Sequence, residues 1–149
     1  MKIEIYKSLS TELIDTLVKV DKAVFTKPLS SSVLIDELQH RKSLLILVAF
    51  CEDVPIAYKI GFHEIGETFM SWSGGVVVDH RRKGFATEIM RKQHELVRDM
   101  GYKIIKTHTK NKFREMLLLN IKERFDITGV YQRLNEEQHG IILEKRLDN

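Results

Sequence analysis

One cysteine, Cys51, stands in a chain of 149 residues, so no disulfide can close within it, and a reducing compartment suits it. A catalytic thiol would also need only one cysteine; the other reading of Cys51 is a small buried apolar residue at the end of an apolar strand. Prolines number two and glycines eight, too few for a fibrous or low-complexity chain. The longest apolar run, Leu44 to Phe50, is seven residues, whereas a bilayer-crossing helix needs about 20. The opening Met1-Lys2-Ile3-Glu4 carries no signal-peptide pattern, so the expectation is a cytoplasmic protein with no membrane partner. Charge of one sign is scarce as well: the net charge is +3 and the pI about 8.9. Nucleic-acid-binding domains concentrate a basic stripe, but here the basic cluster is only Arg81, Arg82 and Lys83, and no nucleic acid is expected. The six histidines, at 40, 63, 80, 94, 108 and 139, include neither an i, i+4 pair nor a Cys/His cluster, so no metal site is expected.

What is present is an ordinary globular composition, 43% hydrophobic and 30% charged, at a length that fits one domain over residues 1–149. Ile3 and Ile5 alternate with Lys2 and Glu4 as in a short strand. Leu13, Leu17, Val20 and Val24 recur at helical spacing behind a cap at Ser10. Past Pro28 a shorter helix is predicted, capped by Ser31 or Ser32, with Leu34, Ile35 and Leu38 apolar. Leu44 to Phe50 reads as a buried strand, Glu52-Asp53 as a turn, and Ile56 to Phe62 as the hairpin partner. A second turn near Glu64 to Glu67 leads into a strand over Thr68 to Val78.

The period then changes to 3.6, with Ala86, Ile89, Met90, Leu96, Val97 and Met100 on one face of a helix that Gly101 ends. A strand over Lys103 to Thr109 completes a strand-helix-strand crossover, which places two strands roughly parallel. A helix from about Lys112 to Glu123 comes next. The last two strands, Phe125 to Arg133 and Gly140 to Arg146, form a hairpin around Asn135-Glu136-Glu137. The order is mixed α/β without internal repeats.

The loop between Val78 and Ala86 is the segment with a chemical signature. Gly84 permits close backbone approach, and the helix that opens after it presents unpaired N–H groups and the positive end of its dipole, which together make an anion site. Arg81, Arg82 and Lys83 add charge there. The alternative is a tight turn with a solvated basic rim. A nucleotide P-loop is excluded because no Gly-Lys-Ser/Thr closes the segment, and a dinucleotide fingerprint because Arg82 stands where its first glycine is required.

Arg81, Gly84 and Ala86 resemble the Arg/Gln-x-x-Gly-x-Gly/Ala signature of the GNAT superfamily of N-acetyltransferases. Val76-Val77-Val78-Asp79-His80 is similar to the strand end that precedes it in that family, with Val78 in place of a proline. Asn111, Met116 to Asn120 and Phe125 resemble the family's second CoA-contacting helix and the Gly-Phe pair after it, with Arg124 in place of that glycine. The resemblance implies a mixed, mostly antiparallel central sheet with a splayed pair of parallel strands, flanked by about four helices. It implies acetyl-CoA as co-substrate and transfer of the acetyl group to a primary amine by direct attack in a ternary complex. The cofactor-binding set it implies is Gly74, Gly75, Val76, Arg81, Arg82, Lys83, Gly84, Phe85, Ala86, Thr87, Asn111 and Asn120.

Such a transfer sets three tasks. A backbone N–H must bind the oxyanion, and the resemblance places it at a bulge in Gly74-Gly75-Val76; glycines within a strand agree with a bulge or a close approach, or with a simple kink. The amine must lose its proton before it attacks. The stretch Met70-Ser71-Trp72-Ser73 has no carboxylate for this, which leaves Glu64 and Glu67 acting through a water, or solvated in a turn. The departing thiolate must gain a proton, and the position where relatives carry a tyrosine is Asn120, a poor proton donor; Tyr131 or water is the substitute.

His108 reads either as a substrate contact or as a satisfied strand histidine, and Trp72 with Phe69 either as acceptor-cleft lining or as core. Because Asn120 and residues 70–73 depart from the family pattern, a non-catalytic acyl-CoA-binding sensor of the same fold is the alternative function. The acceptor amine is unspecified, and a homodimer is compatible with a domain of this size.

Overall fold

The computed structural model describes residues 1–136 and 139–148. In chain order the elements are β1 (Lys2–Tyr6), α1 (Thr11–Lys22), α2 (Ser31–Leu38), β2 (Leu45–Cys51), β3 (Val54–Ile65), β4 (Thr68–Val76), α3 (Phe85–Asp99), β5 (Ile104–Lys110), α4 (Arg114–Lys122), β6 (Asp126–Tyr131) and β7 (Gly140–Arg146). The strands form one seven-stranded sheet in the order β1-β2-β3-β4-β5-β7-β6. Every neighbouring pair is antiparallel except β4 and β5, as the crossover helix α3 requires. No helix among the described residues is long and apolar enough to cross a membrane.

The continuous apolar run in β2 results from burial on both faces. Leu45, Leu47 and Ala49 pack on one side with Ile89, Met90 and Val97 of α3 and Leu117 of α4. Ile46 and Val48 pack on the other with Leu13, Leu17 and Val20 of α1 and Leu34 and Leu38 of α2. The sheet is therefore sandwiched between two helix pairs. The helix ends reflect local chemistry: Ser10 Oγ accepts from the N–H of Leu13 at 3.1 Å. Gly101, at φ +97°, closes α3, with the N–H of Tyr102 reaching the carbonyl of Val97 at 3.3 Å and that of Gly101 reaching Arg98 at 2.9 Å, a Schellman pattern.

Several boundaries differ from those the sequence predicts. The cap of α2 is Ser30, whose Oγ accepts from the N–H of Val33 at 3.2 Å, not Ser31 or Ser32. Helix α1 ends at Lys22, so Val24 leaves the helix and turns toward Gly75, where an added Cβ would meet Val24 Cγ1 at 2.6 Å. Strand β4 ends at Val76, because Val78–His80 form one 3-10 turn closed by the N–H of His80 on the carbonyl of Val77, 3.0 Å. The hairpin β6–β7 forms around Asn135, at φ +71°, and Glu136; Glu137 lies outside the described residues.

A buried polar network joins α1 to the centre of the sheet. Asp21, 2% exposed, accepts from the N–H of Leu29 at 2.6 Å and from the hydroxyl of Tyr58 on β3. Tyr58 Oη also lies 2.9 Å from Ser73 Oγ on β4. Burial, and then the Asp21 carboxylate, push the Tyr58 hydroxyl up far above its ordinary range, which keeps it a neutral donor. The substitution Tyr58→Phe strands Asp21 in the core and is expected to cost about 1.5–3 kcal/mol in denaturant unfolding.

On the opposite face, His94 of α3 is 7% exposed, and burial lowers it from 6.5 to about 3, helped by Lys145 and Lys59. Its folded pKa is below its unfolded one, so the unfolded chain takes the proton first. This contribution to stability is complete above pH 6.5 and is lost as pH falls toward 3. Denaturant titrations of the wild type and His94→Gln over that window should diverge by a slope of up to about 1.4 kcal/mol per pH unit.

Candidate functional site

The parallel ladder between β4 and β5 runs from Thr68 with Ile104 to Ser71 with Thr107 and then stops. Two features mark its end. Thr107 Oγ1 donates to the carbonyl of Ser71 at 3.0 Å, and the β3–β4 register shifts between Ile60, opposite Ser73, and Gly61, opposite Ser71. Trp72 is the extra residue of that bulge, which increases local twist and turns β4 away from β5. Beyond it the strands splay and a cleft of about 600 Å³ opens, lined by Trp72 to Val76 from β4 and Thr107 to Lys110 from β5. Phe25, after α1, and Phe113, before α4, meet edge to face across its margin at 6.2 Å between centroids.

The bulge therefore sits at Trp72 rather than within the expected Gly74-Gly75-Val76. The two glycines keep regular pairing, with Lys59 and Tyr58, and answer to close approach by the protein itself. An added Cβ on Gly74 would stand 2.9 Å from the Tyr58 carbonyl oxygen and 3.1 Å from Lys59 Cδ; one on Gly75 would meet Val24.

At its outer end the cleft meets the start of α3. Gly84 occupies the N-cap at φ +84°, offers no side chain to cap the helix, and faces open space. The first helical bond runs from Glu88 N–H to the Gly84 carbonyl at 3.0 Å, so the N–H groups of Phe85, Ala86 and Thr87 have no acceptor within the helix. Arg82 reaches its turn at φ +62° and pairs with Glu115 at the start of α4, 2.8 Å, while Arg81 Nε donates to the carbonyl of Val76 at 2.9 Å. Lys110, Lys112 and Arg114 stand on the facing wall. Uncapped N–H groups and cations on both walls make this end of the cleft complementary to an anion.

Of the residues singled out from the sequence, Gly74, Gly75, Val76, Arg81, Arg82, Gly84, Ala86, Thr87, Asn120, Trp72, His108 and Tyr131 line this cleft. Lys83, Phe85, Asn111, Glu64, Glu67 and Phe69 are not among its lining residues. Phe85 turns inward, packing on the core with His80 at 6.0 Å between rings. Phe69 is fully buried against Tyr102, because it is one register position from Met70 and so faces the other side of the sheet. The Glu64 carboxylate accepts from Lys106 at 2.9 Å, outside the cleft wall. Cys51 is a half-buried free thiol at the end of β2 that packs against the core.

Asn120 is 3% exposed and enters the cleft from α4. His108 stacks near Tyr131, 5.1 Å between rings. Partial desolvation by the cleft walls, and then Lys106, push the His108 imidazole below its usual range; Glu64 opposes the shift and Arg133 adds to it. Missing from the sequence-derived set are Lys59, Val24, Phe25 and Thr107. For Lys59 a signal was available, since it is the one charged residue in the otherwise apolar segment 56–62. Among the described residues no group of three or more His, Cys, Asp or Glu side chains gathers as a metal site would need.

No family model matches the sequence, and no curated protein matches it. Solved structures do. The ribosomal-protein-S18-alanine N-acetyltransferase from Escherichia coli superposes with a TM-score of 0.82 at 13% identity, over 98% of this chain and 94% of that one. An aminoglycoside 6'-N-acetyltransferase complexed with coenzyme A gives 0.81 at 14%, over 100% and 98%. Ard1 from Thermoplasma volcanium gives 0.78 at 14%, over 97% of each. With the sheet order, the splayed parallel pair and these likenesses taken together, the chain has the fold of the GNAT-superfamily N-acetyltransferases.

Proposed function

We propose that the cleft binds acetyl-CoA and that the protein transfers its acetyl group to a primary amine by direct attack in a ternary complex. The observation that carries this reading is the splay beyond Ser71 and Thr107, which ends at the uncapped start of α3. The residues fit the group. N–H groups of Phe85 to Thr87, with Arg81 and Arg82, offer donors to a diphosphate. The exposed edge of β4 from Trp72 to Val76 has lost its β5 partner and offers unpaired backbone groups to an amide-bearing chain. The bound group supplies an activated thioester; the protein supplies position, donors and proton transfer.

An N–H on the unpaired edge of β4 is placed to bind the oxyanion that develops on the carbonyl, a contact worth about 3 kcal/mol where it has been removed in other enzymes. His108 is the cleft group suited to accept the amine's proton, because its lowered pKa keeps it neutral near pH 7. It takes the role expected for Glu64, which does not line the cleft and whose Oε1 pairs with Lys106. A neutral base acts above its own pKa, so the rate should fall as pH drops through a value under 6.5. In His108→Ala that acidic limb should vanish and kcat should drop by about a hundredfold, read from thiol release against pH.

The sensor reading keeps one observation in its favour: Asn120 stands where an acid is wanted and cannot give up a proton. Thiol release from acetyl-CoA with a panel of primary amines separates the two. Amine-dependent release supports the transferase; tight CoA binding without it establishes the sensor. Gly84→Val tests the cofactor site itself. A β-branched residue at φ +84° costs about 1–2 kcal/mol and sets a side chain across the helix start. CoA affinity by calorimetry should fall at least roughly tenfold, with the far-ultraviolet dichroism unchanged.

A further inference from the structure

Lys59 is a cleft residue whose placement is costly for the fold and whose task is unassigned. It lies on β3 opposite Gly74 of β4, on the face covered by α3 and α4. Its stem runs through the space that the glycine leaves open, 3.1 Å at Cδ and 3.4 Å at Cε from where a Cβ on Gly74 would be. The residue is 8% exposed and lines the cleft. No hydrogen bond or ion pair reaches its Nζ among the described residues. Desolvation alone pushes its amine down to about 8.

The groups around it do not neutralise it. Ser71 Oγ is committed to Gln93 Oε1 of α3 at 3.0 Å. Gln93 Nε2 is itself a buried donor without an acceptor. His94 of α3 is held neutral, and Lys145 of β7 is engaged with its Nδ1 at 3.1 Å. From α4, Asn120 brings an amide to the cleft. An ammonium in a low-dielectric site with no counter-charge works against folding, and such groups collect where a reaction needs them. The Lys59 amine therefore reaches the cleft without a bonded counter-charge among the described residues, and Gln93, buried behind the lining, supplies none.

We propose that Lys59 is a catalytic residue that faces the sulfur of the bound thioester and protonates the thiolate as it leaves. The proposal rests on the reading of this cleft as an acetyl-CoA site. In the step, the amine lone pair forms the C–N bond and the C–S bond breaks, its electron pair staying on sulfur. One Nζ proton of Lys59 then moves to that sulfur, and the proton lost by the new amide nitrogen leaves through His108 to solvent. The neutral lysine regains its proton from water. An ordinary alkyl thiol titrates at about 8.5, close to the value that burial gives Lys59, so the transfer is nearly balanced and can run in either direction. Asn120 then only orients the sulfur, and the acid that α4 does not supply comes from β3.

The test needs no acceptor. The thiol of CoA bound to the protein is titrated by its ultraviolet thiolate absorbance in wild type, Lys59→Met and Lys59→Arg, with CoA affinity measured alongside. The bound thiol should titrate at least about one unit below free CoA in wild type, as a nearby cation requires. It should stay low in Lys59→Arg and return to the free value or higher in Lys59→Met. Removal of the buried charge should also raise the melting temperature of Lys59→Met, so the variant is expected to fold. With an active amine, Lys59→Arg should lose about a hundredfold in kcat or more despite keeping the charge, because its guanidinium does not release a proton.

Identical thiol titrations in wild type and Lys59→Met, at equal CoA affinity, would overturn the proposal and leave the cofactor site standing. Acetylation of Lys59 by acetyl-CoA, seen as a mass increase mapped to that residue, would place the amine at the carbonyl and also overturn it. Failure of wild type to bind CoA would remove the cofactor site and the proposal together.

Discussion

The functional geometry depends on where β4 and β5 stop pairing. Four rungs hold them, from Thr68 with Ile104 to Ser71 with Thr107, and the last is secured from both sides. Thr107 Oγ1 bonds the Ser71 carbonyl, and Ser71 Oγ bonds Gln93 in α3. Immediately beyond, Trp72 bulges out of the β3–β4 ladder, and the strand twists out of reach of β5. Backbone polar groups left unpaired in the middle of a sheet are costly unless something else bonds them. A gap of this kind is therefore both a structural liability and a binding edge.

The surroundings hold that gap in place. Asp21, Tyr58 and Ser73 tie α1 through β3 to the residue after the bulge. Gly75 lets Val24 press against β4, and Gly74 lets the Lys59 stem pass. The bulge is over-determined from both faces, and the buried polar groups that do this are concentrated around it rather than scattered through the core. Lys59, His94 and Gln93 belong to the same pattern. Each is a buried polar group that an apolar residue of similar size would make less expensive, and all three lie on the α3 face beneath the cleft.

Electrostatics divides the cleft along its length. The outer end, between the starts of α3 and α4, is cationic, with Arg82 and Glu115 paired across it. The inner end on the α1 side presents aromatic and imidazole groups, Trp72, His108 and Tyr131. The α3 side of the floor presents Lys59 and Asn120.

The element order and the glycine at the start of α3 were legible in the sequence because each rests on local chemistry. Period 2 or 3.6 decides the element, a serine or glycine decides its end, and a glycine before an amphipathic helix exposes its N–H groups. The bulge lies two residues ahead of the glycines expected to mark it, because glycine signals close approach without saying to what. Val24 and Lys59 come from distant segments, and only folding brings them onto Gly75 and Gly74. For the same reason Glu64, suited by its chemistry, is taken by Lys106, 42 residues away. Lys59 reads in sequence as a lone charge in a strand, while the fold buries it beside the cleft. Local composition determined the elements and the turn before α3; which side chains line the cleft was decided by strand register and long-range packing, which no single segment encodes.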